Sequence, residues 1–331
     1  MKRKTAILLV LALLISLALP FVLPSGALLT DAKDRMLNEL WEMEEEEESG
    51  LLNLLFPRAS AETAPIIQPL PIDFTPGMTP DPNGFTESGY TDASIQLSLE
   101  TREIGDNTVR IATITIADPS QLRTATAGKP TSSRVALISS MAQKNNAVIA
   151  LNANYISNDP VKTSFEYRMG VKIRNKPNRT KDLLIIDENG DFNLFIKSSK
   201  DEIAAFEESG RKIINAFTFG PALVKDGELL TMDKEYGYNP KGREPRMAIG
   251  QLGPLNYLVV LVEGRTKDSD GVTHQELADL MFDLGCMQAF NLDGGNSATL
   301  VFNGGYYQSK SVSNERAQSD MIYFASAVQG N

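Results

Sequence analysis

Residues 289–302 read AFNLDGGNSATLVF, a short polar loop between two apolar segments. Residues 289–292 are predicted to enter the loop as a strand, and residues 298–302 to leave it as another. Asp293 is the only carboxylate of the loop, and the two glycines after it allow positive φ angles and close approach of a ligand to backbone N–H groups. The pattern indicates a candidate site, although it also suits an ordinary Asp-Gly hairpin turn.

The segments around this loop predict an α+β domain. Thr273 and Glu276 form a T-x-x-E capping box at the start of a helix with one apolar face, and Gly285 follows at its C-terminal cap. Further helices are predicted over 132–144 and 199–211. Strands are predicted over 94–99, 109–116, 147–151, 170–173, 182–186, 192–195, 213–219, 247–250 and 257–262. Because no βαβ rhythm repeats, we expect a single domain rich in mixed or antiparallel sheet.

Three other polar clusters lie at the ends of predicted strands, where binding residues often gather. Asn152 and Asn154 follow the apolar run 147–151, residues 243–246 (REPR) precede a strand, and residues 263–265 (EGR) follow the next one. Arginine side chains suit phosphate oxygens because their planar guanidinium groups donate two hydrogen bonds at once. Ordinary surface ion pairing explains the same residue types, so both interpretations stay open at this point.

Composition excludes several classes of site. With one histidine, His274, and one cysteine, Cys286, the chain holds neither a metal site of two or more histidines nor an internal disulfide. We expect His274 to face solvent on the capped helix and Cys286 to be a buried, unreactive thiol. The formal net charge is −10, with six glutamates in one short run at Glu42 and Glu44–Glu48, so no nucleic-acid partner is expected.

The N-terminal region has the pattern of an export signal. Lys2, Arg3 and Lys4 precede an apolar run over residues 6–23. We interpret residues 1–27 as a signal peptide or, because the run is long, an N-terminal membrane anchor. The basic flank predicts that the rest of the chain lies outside the cytoplasm, tethered to the cytoplasmic membrane, or secreted if the signal is cleaved.

An acidic and then proline-rich composition follows, which predicts an extended or disordered stalk over residues 28–88. Residues 89–331 then form the folded domain.

The ordered motifs of this domain resemble the phosphodiester glycosidase (NAGPA-type) family, in particular bacterial members of exopolysaccharide biosynthesis. The resemblance extends from about Tyr90 to Phe324. The motifs that carry it are Asn152-Ala-Asn154-Tyr155, Gly170-Val-Lys-Ile-Arg174-Asn175, Phe219-Gly220-Pro221, Pro245-Arg246-Met-Ala248, Glu263-Gly264-Arg265, Gly271-Val-Thr273 and Asn291-Leu-Asp293-Gly294-Gly295.

The resemblance implies hydrolysis of a sugar-1-phosphodiester. It assigns catalytic roles to Asp293, Glu263 and Arg246. The substrate-binding residues that it implies are Asn152, Asn154, Arg174, Gly220, Arg265, Asn291, Gly294, Gly295 and Ser297.

Three positions depart from the family pattern. Asn296 stands where a third glycine is frequent, Glu263 stands where Asp is common, and Ala153-Asn154 replaces a frequent Gly-Asp. The last difference removes a carboxylate that could act in catalysis or hold a cation.

The mechanism that these residues suggest uses an arginine where most glycosidases use an acid. A phosphate is a better leaving group than a sugar alkoxide, so charge neutralisation can replace protonation. We expect Arg246, with Arg265, to bind the phosphate, and Asp293 or Glu263 to act as nucleophile or as base on water.

Two other functions remain compatible with the sequence. The domain could be a non-catalytic, membrane-tethered module that binds anionic polysaccharide during its assembly or export. It could also be a metal-dependent phosphodiesterase: no cofactor is required by the sequence, but an oxygen-ligated Ca²⁺ or Mg²⁺ fits its residue types.

Overall fold

Three antiparallel sheets build the domain in a computed structural model that describes residues 67–130, 132–155, 164–308 and 315–329. Backbone contacts divide the chain between Ala64 and Pro65, and all described residues belong to the second unit, Pro65–Asn331. The strands are β1 Phe85–Thr86, β2 Gly89–Thr91, β3 Ile95–Ile104, β4 Asn107–Ile116, β5 Leu122–Thr126, β6 Ala147–Asn152, β7 Phe165–Arg168, β8 Val171–Asn175, β9 Asp182–Asp187, β10 Phe192–Phe195, β11 Ile213–Phe219, β12 Ala222–Lys225, β13 Glu228–Leu229, β14 Arg246–Gly253, β15 Asn256–Val262, β16 Gln288–Asn291, β17 Leu300–Phe302, β18 Gly305–Tyr306 and β19 Asp320–Ala325. The helices are α1 Ile138–Lys144, α2 Lys200–Glu208 and α3 His274–Asp283.

The largest sheet has nine strands in the order β1-β2-β3-β4-β15-β14-β16-β12-β13. A second sheet has the order β10-β9-β11-β7-β8, and a third has the order β18-β17-β6-β19-β5. Every described strand pair is antiparallel, which confirms the predicted α+β class with sheet-rich architecture.

The main core lies among the inner faces of these sheets. Apolar side chains from strands of all three, such as Ile114, Leu184 and Leu151, form one buried cluster there. Each helix covers the other face of a sheet: α3 packs on the nine-stranded sheet, α2 on the second sheet and α1 on the third. The capping box of Thr273 and Glu276 begins α3 as predicted.

All nine strands predicted before the Asp293 loop overlap observed strands, but β5, β7 and β19 were not predicted. Every residue of β7 and β19 is buried, so neither strand shows the apolar–polar alternation of a half-buried strand. The helix predicted over 132–144 begins only at Ile138. Ala136 instead exchanges two backbone hydrogen bonds with Gln318, of 2.9 and 2.8 Å, which draws this segment into an extended conformation.

The folded part begins earlier than the predicted boundary at residue 88. Leu70 is buried at 4% exposure in the cluster of the third sheet. The guanidinium group of the fully buried Arg123 donates hydrogen bonds to the carbonyl oxygens of Pro71, Asp73 and Thr75 at 2.8–3.1 Å. The buried arginine thus fixes this proline-rich segment, which composition alone assigns to a stalk.

The predicted apolar run over residues 6–23 and the stalk up to residue 66 lie outside the described residues. Within the described ranges, no helix combines the length and the hydropathy needed to cross a membrane.

Leu70→Ala should lower the free energy of unfolding by about 2–3 kcal/mol, because it removes a side chain buried against the third sheet. The matched change Ile72→Ala removes a side chain that is 44% exposed, and it should cost less than about 0.5 kcal/mol. Urea unfolding of both variants measures the difference. Equal midpoints would show that the segment from residue 67 does not contribute to the fold.

Candidate active site

The Asp293 loop crosses from one sheet to another. Strand β16, which enters the loop, pairs with β12 and β14 in the nine-stranded sheet, whereas β17, which follows it, pairs with β6 and β18 in the third sheet. The two flanking strands therefore do not pair with each other, which excludes the hairpin-turn interpretation. A single 3-10 turn, Gly295–Ser297, lies within the crossing.

Two buried asparagines fix the backbone of this loop. Asn152, at the end of β6, donates from Nδ2 to the Asp293 carbonyl at 2.7 Å and accepts from the Thr299 amide at 3.0 Å. Asn291 donates from Nδ2 to the Gly220 carbonyl at 2.8 Å. Both side chains are at most 1% exposed, so they hold the loop from inside.

The glycines of the site are required by close contacts. A Cβ atom on Gly294 would lie 2.6 Å from the Pro245 carbonyl oxygen, and Gly295 has a φ of +58°. Gly220 has a φ of +78°, and a Cβ atom there would lie 2.4 Å from the Tyr236 hydroxyl. These positions therefore require glycine because of their backbone conformation or the close approach of other atoms.

Asp293 is partly exposed and is linked to a cation through a serine. The Ser297 hydroxyl donates to the Asp293 carboxylate and accepts from Arg316 Nη1 at 3.0 Å. Burial raises the pKa of Asp293, while Ser297 and Arg316 oppose that rise. Arg316 is itself exposed, so it is the cation at this carboxylate that a substrate can reach.

A second carboxylate, Glu166, was not predicted from the sequence. Glu166 and Arg168 alternate along β7 and are at most 3% exposed. Asn154 Nδ2 donates to both Glu166 carboxylate oxygens at 3.0 and 3.1 Å, and Arg168 Nη1 lies 3.3 Å from Glu166 Oε2. Arg168 also pairs with the buried Asp320 at 2.7 Å. Burial raises the pKa of Glu166 to about 7, and the charge of Arg168 opposes that rise.

The charges of Asp293 and Glu166 both influence the Tyr238 phenol. Burial, with the negative charges of Asp293 and Glu166, raises the pKa of the Tyr238 phenol to about 12. Tyr238 is 41% exposed, so this shared environment opens to solvent. Arg174 on β8 is the register partner of Glu166, which places the two side chains on the same face of the strand pair.

The other predicted residues lie on a different side of the loop. Glu263, Arg265 and Gly295 line a cleft of about 410 Å³ together with Pro245, Asn296 and Gln308. Glu263 accepts from Arg110 Nε at 2.8 Å, and Arg265 pairs with Glu244 and donates to Asn296 Oδ1 at 3.1 Å. The lining of this cleft thus includes the predicted residues Glu263 and Arg265 but not Asp293.

Arg246 has different partners from those predicted. Its guanidinium group donates to the carbonyl oxygens of Val272, Tyr238, Asn239 and Gly242 at 2.7–3.1 Å, and to His274 Nε2 at 2.9 Å. These bonds engage all five N–H donors of an arginine. The guanidinium group therefore has no N–H left for a phosphate, and we assign phosphate binding elsewhere.

His274 does not face solvent, so that prediction is wrong. Its side chain is 0% exposed, because it packs beneath the segment that Arg246 holds. Burial, with the charge of Arg246, lowers the pKa of His274 to about 3, so the ring is neutral at physiological pH. Cys286 is buried at 3% exposure, as predicted.

Some of the functional residues that the sequence analysis missed could have been recognised from the sequence, and others could not. In β7 the opposite charges of Glu166 and Arg168 stand two residues apart, and this spacing places them on one face of a strand. That signal was available once β7 was recognised. Arg316 and Tyr238 lie in irregular segments, where no periodicity predicts which way a side chain points.

No group of three or more His, Cys, Asp and Glu side chains in the described ranges is arranged to hold a metal ion. The described arrangement places an exposed arginine, Arg316, beside the partly exposed Asp293 carboxylate through Ser297.

Comparison with known proteins gives a family match. The model of the family described as phosphodiester glycosidase matches residues 145–325, more than half of the chain. This range includes Asn154, Glu166, Tyr238, Asp293 and Arg316.

The chain is also similar to individual proteins. It is 27% identical over 186 residues to the SPbeta prophage-derived uncharacterized protein YomE of Bacillus subtilis, a match that covers 55% of this chain but only 28% of that relative's length. The catalytic domain of zebrafish N-acetylglucosamine-1-phosphodiester alpha-N-acetylglucosaminidase, auto-inhibited by its pro-peptide, has a similar fold. The TM-score is 0.56 at 19% identity, over 70% of this chain and 83% of that one. A hypothetical protein from Synechocystis gives a TM-score of 0.50 at 15% identity, over 72% of this chain and 64% of that one.

Glu166→Gln should change how stability depends on pH. The pKa of Glu166 rises from 4.5 to about 7 on folding, so the folded protein binds this proton more tightly than the unfolded chain does. The stability that protonated Glu166 contributes is complete below about pH 4.5 and is lost as pH rises through about 7. Relative to the variant, the wild type should lose roughly 1–3 kcal/mol of unfolding free energy between about pH 5 and pH 8.

Urea unfolding at both pH values measures this difference, because other groups titrate alike in the two proteins. Glu235→Gln is the matched control, since the Glu235 side chain is 84% exposed. A pH dependence unchanged by Glu166→Gln would show that Glu166 does not carry the raised pKa.

Proposed function

The chain belongs to the phosphodiester glycosidase family, and we propose that it hydrolyses a sugar-1-phosphodiester, releasing the free sugar and a phosphate monoester. Family membership supports a hydrolase acting on a sugar phosphate. The finer assignment rests on the geometry around Asp293.

One observation carries the proposal: the partly exposed Asp293 carboxylate accepts from the Ser297 hydroxyl, which in turn accepts from the exposed Arg316. Glu166 is a second carboxylate, and its pKa is also raised. Glycosidases generally use a pair of carboxylates around the scissile bond. Burial raises the pKa of each carboxyl group, to about 7 for Glu166. A base or acid with a pKa near neutrality is matched to proton transfer at physiological pH.

We assign the base to Asp293, the carboxylate on the exposed loop. It takes a proton from a water molecule whose oxygen attacks the anomeric carbon. The bond between that carbon and the phosphate oxygen breaks, and the phosphate monoester leaves with the bonding electrons. Ser297, which donates to Asp293, orients this carboxylate.

Arg316 takes the phosphate-binding role that the sequence suggested for Arg246. It is exposed and reaches Asp293 through Ser297, with its guanidinium group 5.2 Å from the centre of the Tyr155 ring. A guanidinium group neutralises the charge that develops on a leaving phosphate. Glu166, held by Asn154 and Arg168, is the second carboxylate, and we assign to it the supply or acceptance of a proton.

The 410 Å³ cleft with Glu263 and Arg265 adjoins the same loop through Gly295 and Asn296. We propose that it binds the part of the substrate beyond the reacting bond. Its polar lining of both charges suits a sugar or polysaccharide chain rather than an apolar ligand.

Turnover of UDP-N-acetylglucosamine, with release of free N-acetylglucosamine, is the first assay, since the zebrafish protein's name specifies an N-acetylglucosamine-1-phosphodiester. We expect Asp293→Asn and Glu166→Gln each to lower kcat by about 10²–10⁴-fold, the usual contribution of a general acid or base. Glu263→Gln should lower it by less than about tenfold, because Glu263 is already paired with Arg110. Circular dichroism and thermal unfolding establish that each variant is folded.

Each competing function has its own outcome in this assay. Wild-type rates in folded Asp293→Asn would reject the assigned base. A large loss in Glu263→Gln with none in Glu166→Gln would restore the pair that the sequence suggested. Loss of activity with EDTA, restored by Ca²⁺ or Mg²⁺, would favour the metal-dependent phosphodiesterase. Binding of anionic polysaccharide without any turnover would favour the non-catalytic module.

We also propose that the domain acts outside the cytoplasm, in envelope or exopolysaccharide metabolism, tethered through residues 1–27 as a membrane anchor. The basic residues before the apolar run 6–23 support this orientation.

Residues 1–66 fused to alkaline phosphatase should give an active, membrane-associated reporter in a bacterial host. Alkaline phosphatase needs an oxidising compartment to form its disulfides. An active reporter in the soluble extracytoplasmic fraction would indicate a cleaved signal, and an inactive reporter would reject export. Replacing Lys2, Arg3 and Lys4 with glutamate is the matched control for orientation.

A further inference from the structure

We propose that Tyr238 binds the anionic phosphate part of the substrate, and that Arg246 and His274 are positioning residues that hold Tyr238 in place for this contact. The inference rests on the proposed function, because it assigns a specificity-determining residue to the same site.

Tyr238 belongs to an irregular segment, residues 236–242, which we call the 236–242 strap. One end of the strap is anchored in the interior. Tyr236, at 5% exposure, donates from its hydroxyl to the Phe219 carbonyl at 2.6 Å and accepts from the Asp182 amide at 2.7 Å. The same hydroxyl lies against Gly220, so this anchor sits directly beneath the site.

Arg246 and His274 hold the rest of the strap. Arg246 donates to the carbonyl oxygens of Tyr238, Asn239 and Gly242, and the His274 amide donates to the Pro240 carbonyl at 3.0 Å. Because arginine can only donate, His274 Nε2 is the acceptor in its contact with Arg246. The ring proton of His274 is therefore on Nδ1, which has no hydrogen-bond partner among the described residues.

This network maintains a backbone conformation that a tyrosine rarely adopts. Tyr238 has a φ of +59° and Asn239 a φ of +54°, both in the left-handed region. Strained conformations of this kind persist when surrounding contacts fix them, and they concentrate at functional sites. Here four carbonyl groups of five consecutive residues accept hydrogen bonds from the Arg246 side chain and the His274 amide, which keeps the strap in this shape.

Both faces of the Tyr238 ring contact other side chains. The Phe219 ring stacks on it with centroids 4.2 Å apart and an angle of 4° between planes. The Lys181 ammonium lies 3.8 Å from the Tyr238 ring centre and 4.6 Å from that of Tyr236. A sugar ring therefore has no free aromatic face to stack on, although the Tyr238 residue is 41% exposed.

The Tyr238 hydroxyl can donate a hydrogen bond to an anionic partner. The Tyr238 hydroxyl has no hydrogen-bond partner in the described part of the chain, and it stays protonated at physiological pH, so it offers a donor. The Lys181 ammonium adds a positive charge beside it. A phosphate oxygen accepts such a bond, and hydrogen bonds to charged groups are stronger than neutral ones.

The test compares the two products of UDP-N-acetylglucosamine hydrolysis as ligands. Tyr238→Phe should raise KM for UDP-N-acetylglucosamine and the Ki of UDP about 10- to 100-fold, as loss of a hydrogen bond to a charged group does. The Ki of N-acetylglucosamine should change less than about twofold. Tyr167→Phe is the matched control, because the Tyr167 hydroxyl contacts Glu207 rather than the site.

Arg246→Lys tests the positioning role, since lysine keeps the charge but cannot engage four carbonyl groups. We expect a rise in the Ki of UDP similar to that of Tyr238→Phe, and no further rise when both changes are combined, because Arg246 acts through Tyr238. If Arg246→Lys does not fold, His274→Leu removes one partner of Arg246 and should raise the Ki of UDP in the same direction. His274→Gln, whose amide oxygen can still accept, should restore it.

Failure of the proposed activity and failure of the inference about Tyr238 give different results. Absence of sugar release by the wild type rejects the proposed activity on this substrate, and calorimetric titration with UDP then tests the inference by itself. Failure of the wild type to bind UDP, an unchanged UDP affinity in Tyr238→Phe, or equal losses for UDP and N-acetylglucosamine would each overturn it. Additive effects of Tyr238→Phe and Arg246→Lys would reject the positioning role.

Discussion

The site depends on the two hydrogen bonds of one buried amide, Asn152. The Asp293 loop leaves the nine-stranded sheet at β16 and joins the third sheet at β17, so no strand pairing holds its middle. Asn152 replaces the missing pairing: its side chain donates to the Asp293 carbonyl and accepts from the Thr299 amide. A fully buried amide is stabilising only when its hydrogen bonds are made, so this arrangement tolerates few alternatives. These hydrogen bonds of Asn152 therefore help to determine where the Asp293 carboxylate lies.

The sequence predicted the parts of this arrangement that leave a periodic or conformational signature. Short alternating strands, the capping box of α3 and the glycines around Asp293 all have local causes, so they could be identified from the residues. The group formed by Glu166, Arg168 and Asp320 could not, because charged residues in fully buried strands contradict the apolar pattern by which such strands are recognised. Arg246 shows a second limit. Its motif could be recognised in the sequence. The direction of its guanidinium group could not be predicted, because carbonyl groups of the strap determine it.

The interior near the site contains more acidic than basic groups. Arg168 is shared between Glu166 and Asp320, and it also donates to the carbonyl oxygen of Ala216. Arg168 therefore lies between two carboxylates, but burial has the larger influence on the pKa of Glu166, because a buried carboxylate prefers its neutral form. This explains why the pKa of Glu166 is raised although an arginine lies beside it. The same imbalance favours approach of a cationic side chain such as Arg316 from the exposed side.

Asn154 has a structural role in the hydrogen-bond network around Glu166. Where the resemblance leads one to expect an aspartate, the amide gives Glu166 two hydrogen bonds from Nδ2 and accepts one from Arg168. A carboxylate at this position would place a third negative charge beside Glu166 and Asp320. It could also donate nothing to Glu166 in its ionised form. Asn154 thus replaces a charge with a hydrogen-bond donor, and the pair that we propose for catalysis is Asp293 with Glu166.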